Sequence, residues 1–217
     1  MTRVPTVEWQ TNGVCNYDCT YCIQSRKYRT GYPTDDEIDR FLAFFATLSG
    51  VWEIKMSGGE PFAFRGFLGR IVPGLARLPH RVSVLTNLSA PPSSLRRFVD
   101  LVGAKLSVVS ASLHLEYVDA EAFVEKAALL RTWLRPETAL VVNNVLVPGT
   151  VASLAEVRER VEAAGLRYFP QVMKTKHGVH DYGDATTCRR TVFARLTRYN
   201  TRPFHSCSTT AGSAWIR

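Results

Sequence analysis

Short runs of β-favouring apolar residues alternate along the chain with longer stretches in which apolar positions recur every three or four residues. The runs at residues 4–11, 52–57, 81–86, 105–113, 139–147 and 166–173 read as strands, and the stretches near 34–49, 64–77, 92–102, 119–133 and 151–164 read as helices. The first helix is the best marked. Thr34 and Glu37 form a capping box, Asp35 and Asp36 occupy the positive first turn, Ile38, Phe41, Phe45 and Leu48 share one face, and Gly50 ends it. Ser153 and Glu156 repeat the box beside Leu154, Val157 and Val161.

Strands separated by helices of this length pair in parallel, because a tight hairpin cannot join parallel neighbours. A closed eight-unit barrel takes about 250 residues, so six units over residues 4–173 predict an α/β fold: a six-unit partial (β/α)6 TIM-like barrel with parallel strands. The barrel is expected over residues 1–175 and a short irregular C-terminal extension over 176–217, with a short helix at about 192–199. Functional sites of such folds gather where the loops leave the carboxyl ends of the strands. Here those loops read "CNYDCTYC" after the first strand, "MSGGEP" after the second, then "TNLS", "SASLH" and "NNVLVP".

Composition narrows the class. With 217 residues, 46% of them hydrophobic and 21% charged, the chain is an ordinary globular one. Its net charge of +8 is spread over helix surfaces, at Arg70, Arg77, Arg96, Arg131 and Arg158, and forms no aromatic-lined stripe. That distribution argues against a nucleic-acid partner. The opening "MTRVPTVEWQ" carries no apolar signal region, and no apolar run reaches the ~18 residues a membrane span needs. A cytoplasmic chain with reduced thiols and no membrane partner is expected.

Three of the five cysteines, Cys15, Cys19 and Cys22, fall within eight residues at the spacing C-x3-C-x2-C. A disulfide framework suits a secreted chain with an even count. Zinc would need a fourth ligand, from Cys188, Cys207, His177 or His180, and inert buried thiols would not require such crowding. An iron–sulfur cluster accepts cysteine thiolates at these spacings, and a four-iron cluster given three of them keeps one iron open.

"CNYDCTYC", with Tyr21 directly before its last cysteine, followed after one helix and one strand by "SGGEP", resembles the signature of the radical S-adenosylmethionine (radical SAM) enzymes. The resemblance covers about residues 4–175 and implies the same six-unit partial barrel. It also implies that Cys15, Cys19 and Cys22 ligate three irons of a 4Fe-4S cluster, and that S-adenosylmethionine chelates the fourth. Reductive cleavage would then give methionine and a 5'-deoxyadenosyl radical that abstracts a hydrogen atom from substrate. Tyr21 would lie near the adenine. Gly58 and Gly59 would let backbone carbonyls approach the methionine ammonium, Glu60 would add negative charge, and Pro61 would turn the chain toward the next helix. A one-electron donor such as flavodoxin or ferredoxin is implied as a partner.

The other polar residues at the strand ends are Thr86, Asn87, Ser110, Ser112, His114, Asn143 and Asn144. In similar enzymes such positions contact the ribose and carboxylate of the cofactor. Asn87, Ser112 and Asn144 are the candidates, the last two chosen because strand parity is expected to turn both inward. His114 is expected to face substrate or to be structural, and no catalytic residue is assigned. Near the end, Cys207 followed by "TAG" resembles the opening of the auxiliary-cluster extensions called SPASM or twitch domains, so an auxiliary iron–sulfur cluster involving Cys207 is a further expectation. No more cysteines follow before Arg217, as in a truncated or a vestigial extension. Three functions therefore stand at this point. The leading one is a radical SAM enzyme acting on a peptide or protein side chain, favoured by the SPASM-like tail and by the wide mouth an incomplete barrel leaves. The alternatives are one acting on RNA or another phosphate-bearing small molecule, and a non-enzymatic metal or electron-transfer module.

Overall fold

Six parallel strands form one sheet in sequence order: β1 (Thr6–Gln10), β2 (Glu53–Ser57), β3 (Arg81–Thr86), β4 (Leu106–Leu113), β5 (Ala139–Leu146) and β6 (Arg167–Val172). The helices between them are α1 (Asp35–Ala46), α2 (Val72–Arg77), α3 (Pro92–Val102), α4 (Ala120–Trp133) and α5 (Leu154–Ala163). This is the expected α/β partial barrel, with β1 and β6 as the two edges of the sheet. The computed structural model describes residues 4–24, 26–175, 177–180 and 182. The chain divides into units Met1–His180 and Asp181–Arg217, and of the second only Tyr182 is described. The helix expected at about 192–199, Cys188 and Cys207 lie outside the described residues. No helix among the described residues is long and apolar enough to cross a membrane.

The core lies between the sheet and the helices. Trp9 packs its ring on Phe41 and Phe45 of α1, 5.1 and 5.3 Å between centroids. Registered neighbours in a sheet share a face, so the row Trp9, Met56, Val84, Val109 and Leu140 is the helix-facing side, and all five are buried. The opposite, inner face begins with Glu8, whose carboxylate accepts hydrogen bonds from Lys55 Nζ (3.2 Å) and Ser57 Oγ (2.7 Å). Higher on that face stand Leu85, Ser110, Val141 and Arg167, then Ser112, Asn143 and Phe169.

Local chemistry explains where the helices depart from expectation. The Thr34 box forms, with the Glu37 N–H donating to Thr34 Oγ1 (3.3 Å) and the Thr34 N–H to Glu37 Oε2 (2.8 Å). Helix α1 ends at Ala46 because the Thr47 hydroxyl donates back to the Phe44 carbonyl, 2.7 Å, and Gly50, at φ 75°, turns the chain beyond. The second box does not form. Pro148–Ser153 is already a 3-10 helix, so Ser153 is helical itself and its hydroxyl donates to Thr150 O, 2.9 Å, in place of a cap. The helix expected at 64–77 is broken into a π turn, Phe67–Ile71, and α2. Pro73 has no N–H for the Gly69 carbonyl, and the Val72 N–H reaches past to Phe67 O. After β6, where irregular chain was expected, β7 (Lys174–Thr175) and β8 (Gly178–Val179) form a small antiparallel hairpin.

Candidate active site

The ladder between β1 and β2 does not stop where the strands end. The Thr11 N–H donates to Ser57 O (2.8 Å), the Gly59 N–H to Asn12 O (2.9 Å) and the Glu60 N–H to Val14 O (3.0 Å). The start of the cysteine loop is therefore laid along the glycine turn, backbone to backbone. A Cβ on Gly58, whose φ is 135°, would stand 2.4 Å from Asn12 O, and one on Gly59 would stand 2.0 Å from Val14 O. Both glycines are thus required by the cysteine loop itself. Asn12, which sequence reading passed over, is buried and locks this junction, with Nδ2 donating to Val14 O (2.7 Å) and Glu60 O (3.2 Å). The signal for it was a polar residue just past a strand end and one place before a glycine.

Glu60 takes a different place from the one expected. Its side chain is 1% exposed. Oε1 accepts from Thr86 Oγ1 (2.8 Å) and from the Phe62 N–H (3.2 Å), and Oε2 accepts from the Asn87 N–H (2.7 Å). The carboxylate clasps the end of β3 to the glycine turn. Pro61 follows it, buried at the start of a 3-10 turn, Pro61–Ala63. Burial pushes the Glu60 carboxyl up to about 7, against hydrogen bonds that favour the charged form. The unfolded carboxyl titrates near 4.5. Between these values the folded chain keeps a proton that the unfolded chain has released, so this group makes stability fall as pH rises from about 4.5 to about 7, and level off above. Glu60→Gln should cost about 1–3 kcal/mol, because its amide NH2 opposes the Asn87 N–H, and should remove that slope. Denaturant midpoints of both proteins at about pH 5 and pH 8 check this. Equal pH dependence in the two would clear Glu60 of the effect.

Within the loop, Cys19 is buried, Cys15 half-buried and Cys22 exposed, all as free thiols. Burial raises the Cys15 thiol. It pushes that of Cys19 up to about 11, with the nearby Glu116 charge adding to the effect. Cys19 Sγ lies 3.5 Å from His114 Nδ1, and the Tyr21 hydroxyl lies 2.8 Å from the same nitrogen with the two rings stacked at 5.8 Å. His114, expected at the substrate or in a structural role, stands under the cysteine loop, where burial lowers its pKa. Among the described residues no three His, Cys, Asp or Glu side chains converge as a metal site. The donor set nonetheless fits iron–sulfur chemistry in kind, with three thiols on one short loop.

The remaining candidates divide by face. Ser112 is half-buried on the inner face, and its hydroxyl has no partner among the described residues. Its registered neighbour is Asn143, so the parity that paired Ser112 with Asn144 is corrected. Asn144 sits on the helix-facing side, where Nδ2 donates to Leu113 O (3.0 Å) and Oδ1 accepts from Tyr168 OH (3.3 Å). Asn143 instead donates to Ser110 Oγ across the inner face. The Asn87 side chain is engaged by the cysteine loop, donating from Nδ2 to Asn16 Oδ1, 2.9 Å.

A parallel sheet whose first two loops are a three-cysteine loop and a glycine turn, joined by their backbones, defines a class. The sequence matches the model of the Radical SAM superfamily over residues 9–145. The chain belongs to that superfamily, which implies a 4Fe-4S cluster and S-adenosylmethionine. Among similar proteins, the GTP 3',8-cyclase of Streptomyces coelicolor is 30% identical over 156 residues, 62% of this chain and 42% of that protein. The GTP 3',8-cyclase of Stenotrophomonas maltophilia is 32% identical over 96 residues, 42% of this chain and 29% of its own. A probable GTP 3',8-cyclase of Pyrobaculum aerophilum is 32% identical over 111 residues, 50% and 34% respectively. The chain thus spans under half the length of each of these three relatives.

Proposed function

We propose that residues 1–175 are the S-adenosylmethionine-cleaving barrel of a radical SAM enzyme and that residues 176–217 form an extension to it. The observation that carries this reading is the backbone ladder that docks the cysteine loop on the glycine turn, since it brings the two motifs together at the carboxyl ends of β1 and β2. Cys15, Cys19 and Cys22 would hold the cluster, Cys19 by turning its thiol away from His114. When bound, the cluster and S-adenosylmethionine would supply the radical chemistry that removes a hydrogen atom from substrate. Gly58 and Gly59 would leave main chain open to the methionine end, Ser112 would offer its free hydroxyl from the inner face, and Tyr21 would border the adenine. Glu60, Asn87 and Asn144 support the site by holding its walls. A flavodoxin- or ferredoxin-type protein would deliver the electron.

For the substrate, the similarity to GTP 3',8-cyclases favours a nucleotide over the peptide or protein side chain expected from the tail around Cys207 and the open barrel mouth, and Cys207 lies outside the described residues. Anaerobic reconstitution with iron and sulfide should give a brown protein holding about four irons. With S-adenosylmethionine and a reductant that protein should form 5'-deoxyadenosine. Cluster loading without any 5'-deoxyadenosine would overturn the enzyme reading. GTP should raise 5'-deoxyadenosine formation above the level without substrate; no response to GTP would remove the nucleotide reading and leave the barrel's own chemistry standing.

A further inference from the structure

The ladder holds the first part of the cysteine loop, up to Val14. A separate set of contacts holds its centre, and it comes from the loop that leaves β4. The Thr20 N–H donates to Glu116 Oε2, 2.9 Å, and the Thr20 hydroxyl donates to the other oxygen of the same carboxylate. The Asp18 N–H donates to Tyr117 OH, 2.8 Å, and the Tyr17 ring stacks on Tyr117 at 4.4 Å between centroids and 11° between planes. The two sides of each contact are nearly a hundred residues apart in sequence, so chain neighbourhood does not bring them together.

The β4–α4 loop is itself firmly mounted. Leu113, at its base, is fully buried. The Tyr117 and Val118 N–H groups both donate to His114 O, at 2.9 and 3.1 Å, and Asp119 then caps α4 by accepting from the Glu121 N–H at 2.7 Å. The cysteine loop, by contrast, has no strand or helix from Thr11 to Gln24. Its Asp18 carboxylate is turned to Arg26 and Arg29 of the following segment. Of its central backbone donors, the Asp18 and Thr20 N–H groups are met by side chains from a fixed frame, while the Tyr17 N–H turns to Cys15 Sγ, 3.4 Å, inside the loop.

We propose that Glu116 and Tyr117 are positioning residues, a latch that fixes the stretch 17–21 and with it the place of Cys19 relative to Cys15. Glu116 is the principal one, because one carboxylate meets two donors of Thr20, the residue that follows Cys19. The latch rests on the reading of this loop as the cluster loop, but its first test requires no cluster. In metal-free protein, amide exchange at Asp18 and Thr20 should be slow. Glu116→Ala should speed it by about tenfold at Thr20, as expected for losing two hydrogen bonds to a charged acceptor. Glu116→Gln, which keeps an oxygen for the Thr20 N–H, should stay near the parent rate. Tyr117→Phe, which keeps the stacked ring and loses the acceptor, should speed Asp18 alone. Exchange at Thr20 that is as fast in the parent as in Glu116→Ala would overturn the latch, and so would a Glu116→Gln protein as fast as Glu116→Ala.

The second test concerns reconstituted protein and reads iron release to a chelator. Glu116→Ala should lose iron about tenfold faster than the parent, at an unchanged melting temperature, and Glu116→Gln should not. Equal release rates would mean that the latch does not position the ligands. A parent that assembles no cluster would instead sink the proposed function, while the exchange measurement still decides the latch.

Discussion

Alanine at Cys15, Cys19 or Cys22 should abolish the cluster: iron and sulfide should fall to the level of unreconstituted protein, and 5'-deoxyadenosine formation should fall to background. The three thiols sit on one loop, His114 meets Cys19 alone, and among the described residues no group of three or more His, Cys, Asp or Glu side chains stands ready to hold metal in their place. A four-iron cluster left with two thiolates is poorly held. Cys188→Ala should leave the cluster intact, which controls for a general effect of removing thiols. The positions should also differ before any iron is added. Cys22 is exposed and Cys19 is buried against His114, so Cys22→Ala should leave the fold unmoved, whereas Cys19→Ala should cost the stability of a small buried side chain. A Cys19→Ala protein with a full complement of iron and sulfide would show that the cluster is held elsewhere.

Gly59→Val should unfold the junction on which the site is built. A side chain there meets Val14 O at 2.0 Å, the Val14 carbonyl carbon at 2.3 Å and Gly13 O at 2.7 Å. These are backbone atoms, so no rotamer change relieves the contact. To admit the valine the two loops must part, breaking the Gly59 to Asn12 and Glu60 to Val14 hydrogen bonds. The cost should be about 3 kcal/mol or more, a fall in melting temperature of roughly 6–12 °C for a domain of this size. Cluster loading and S-adenosylmethionine binding should be lost together. From sequence alone the opposite split is expected, a stable cluster-loaded protein that merely binds the cofactor poorly, because a glycine beside a ligand reads as room for the ligand. Melting temperature and iron content separate the two outcomes. A Gly59→Val protein with parental stability and iron would assign the glycine to the cofactor and not to the cysteine loop.

The order of elements was legible because it rests on local signals. Apolar runs marked all six strands to within two residues, and the Thr34 box marked the start of α1. What could not be read were properties set by chain elsewhere. Ser153 has the right residue three places ahead of Glu156, but the 3-10 turn before it had already made its backbone helical. Asn143 and Asn144 are chemically identical, and a one-residue miscount in β5 exchanges the faces they occupy; only the register against β4 decides between them. Glu60 reads as a charge offered to a ligand until Thr86 and the Asn87 N–H, well downstream, are seen to claim it. The same holds for His114, Glu116 and Tyr117, whose partners lie in the cysteine loop. The types of residue at the site were visible in the sequence. Which of them face a ligand and which face one another was not.

The continued ladder also determines what could be transplanted. A designer who grafts "CNYDCTYC" onto another parallel sheet would move the thiols without their seat, since the loop's start is paired, backbone to backbone, with Ser57 at the end of β2 and with Gly59 and Glu60 in the turn beyond it. The smallest portable piece is three segments, Thr11–Cys22, Ser57–Glu60 and the latch loop His114–Tyr117, with Asn12 as the pin between the first two. The chain that joins them is replaceable in length, because the entropy of closing a connection grows only with the logarithm of its size.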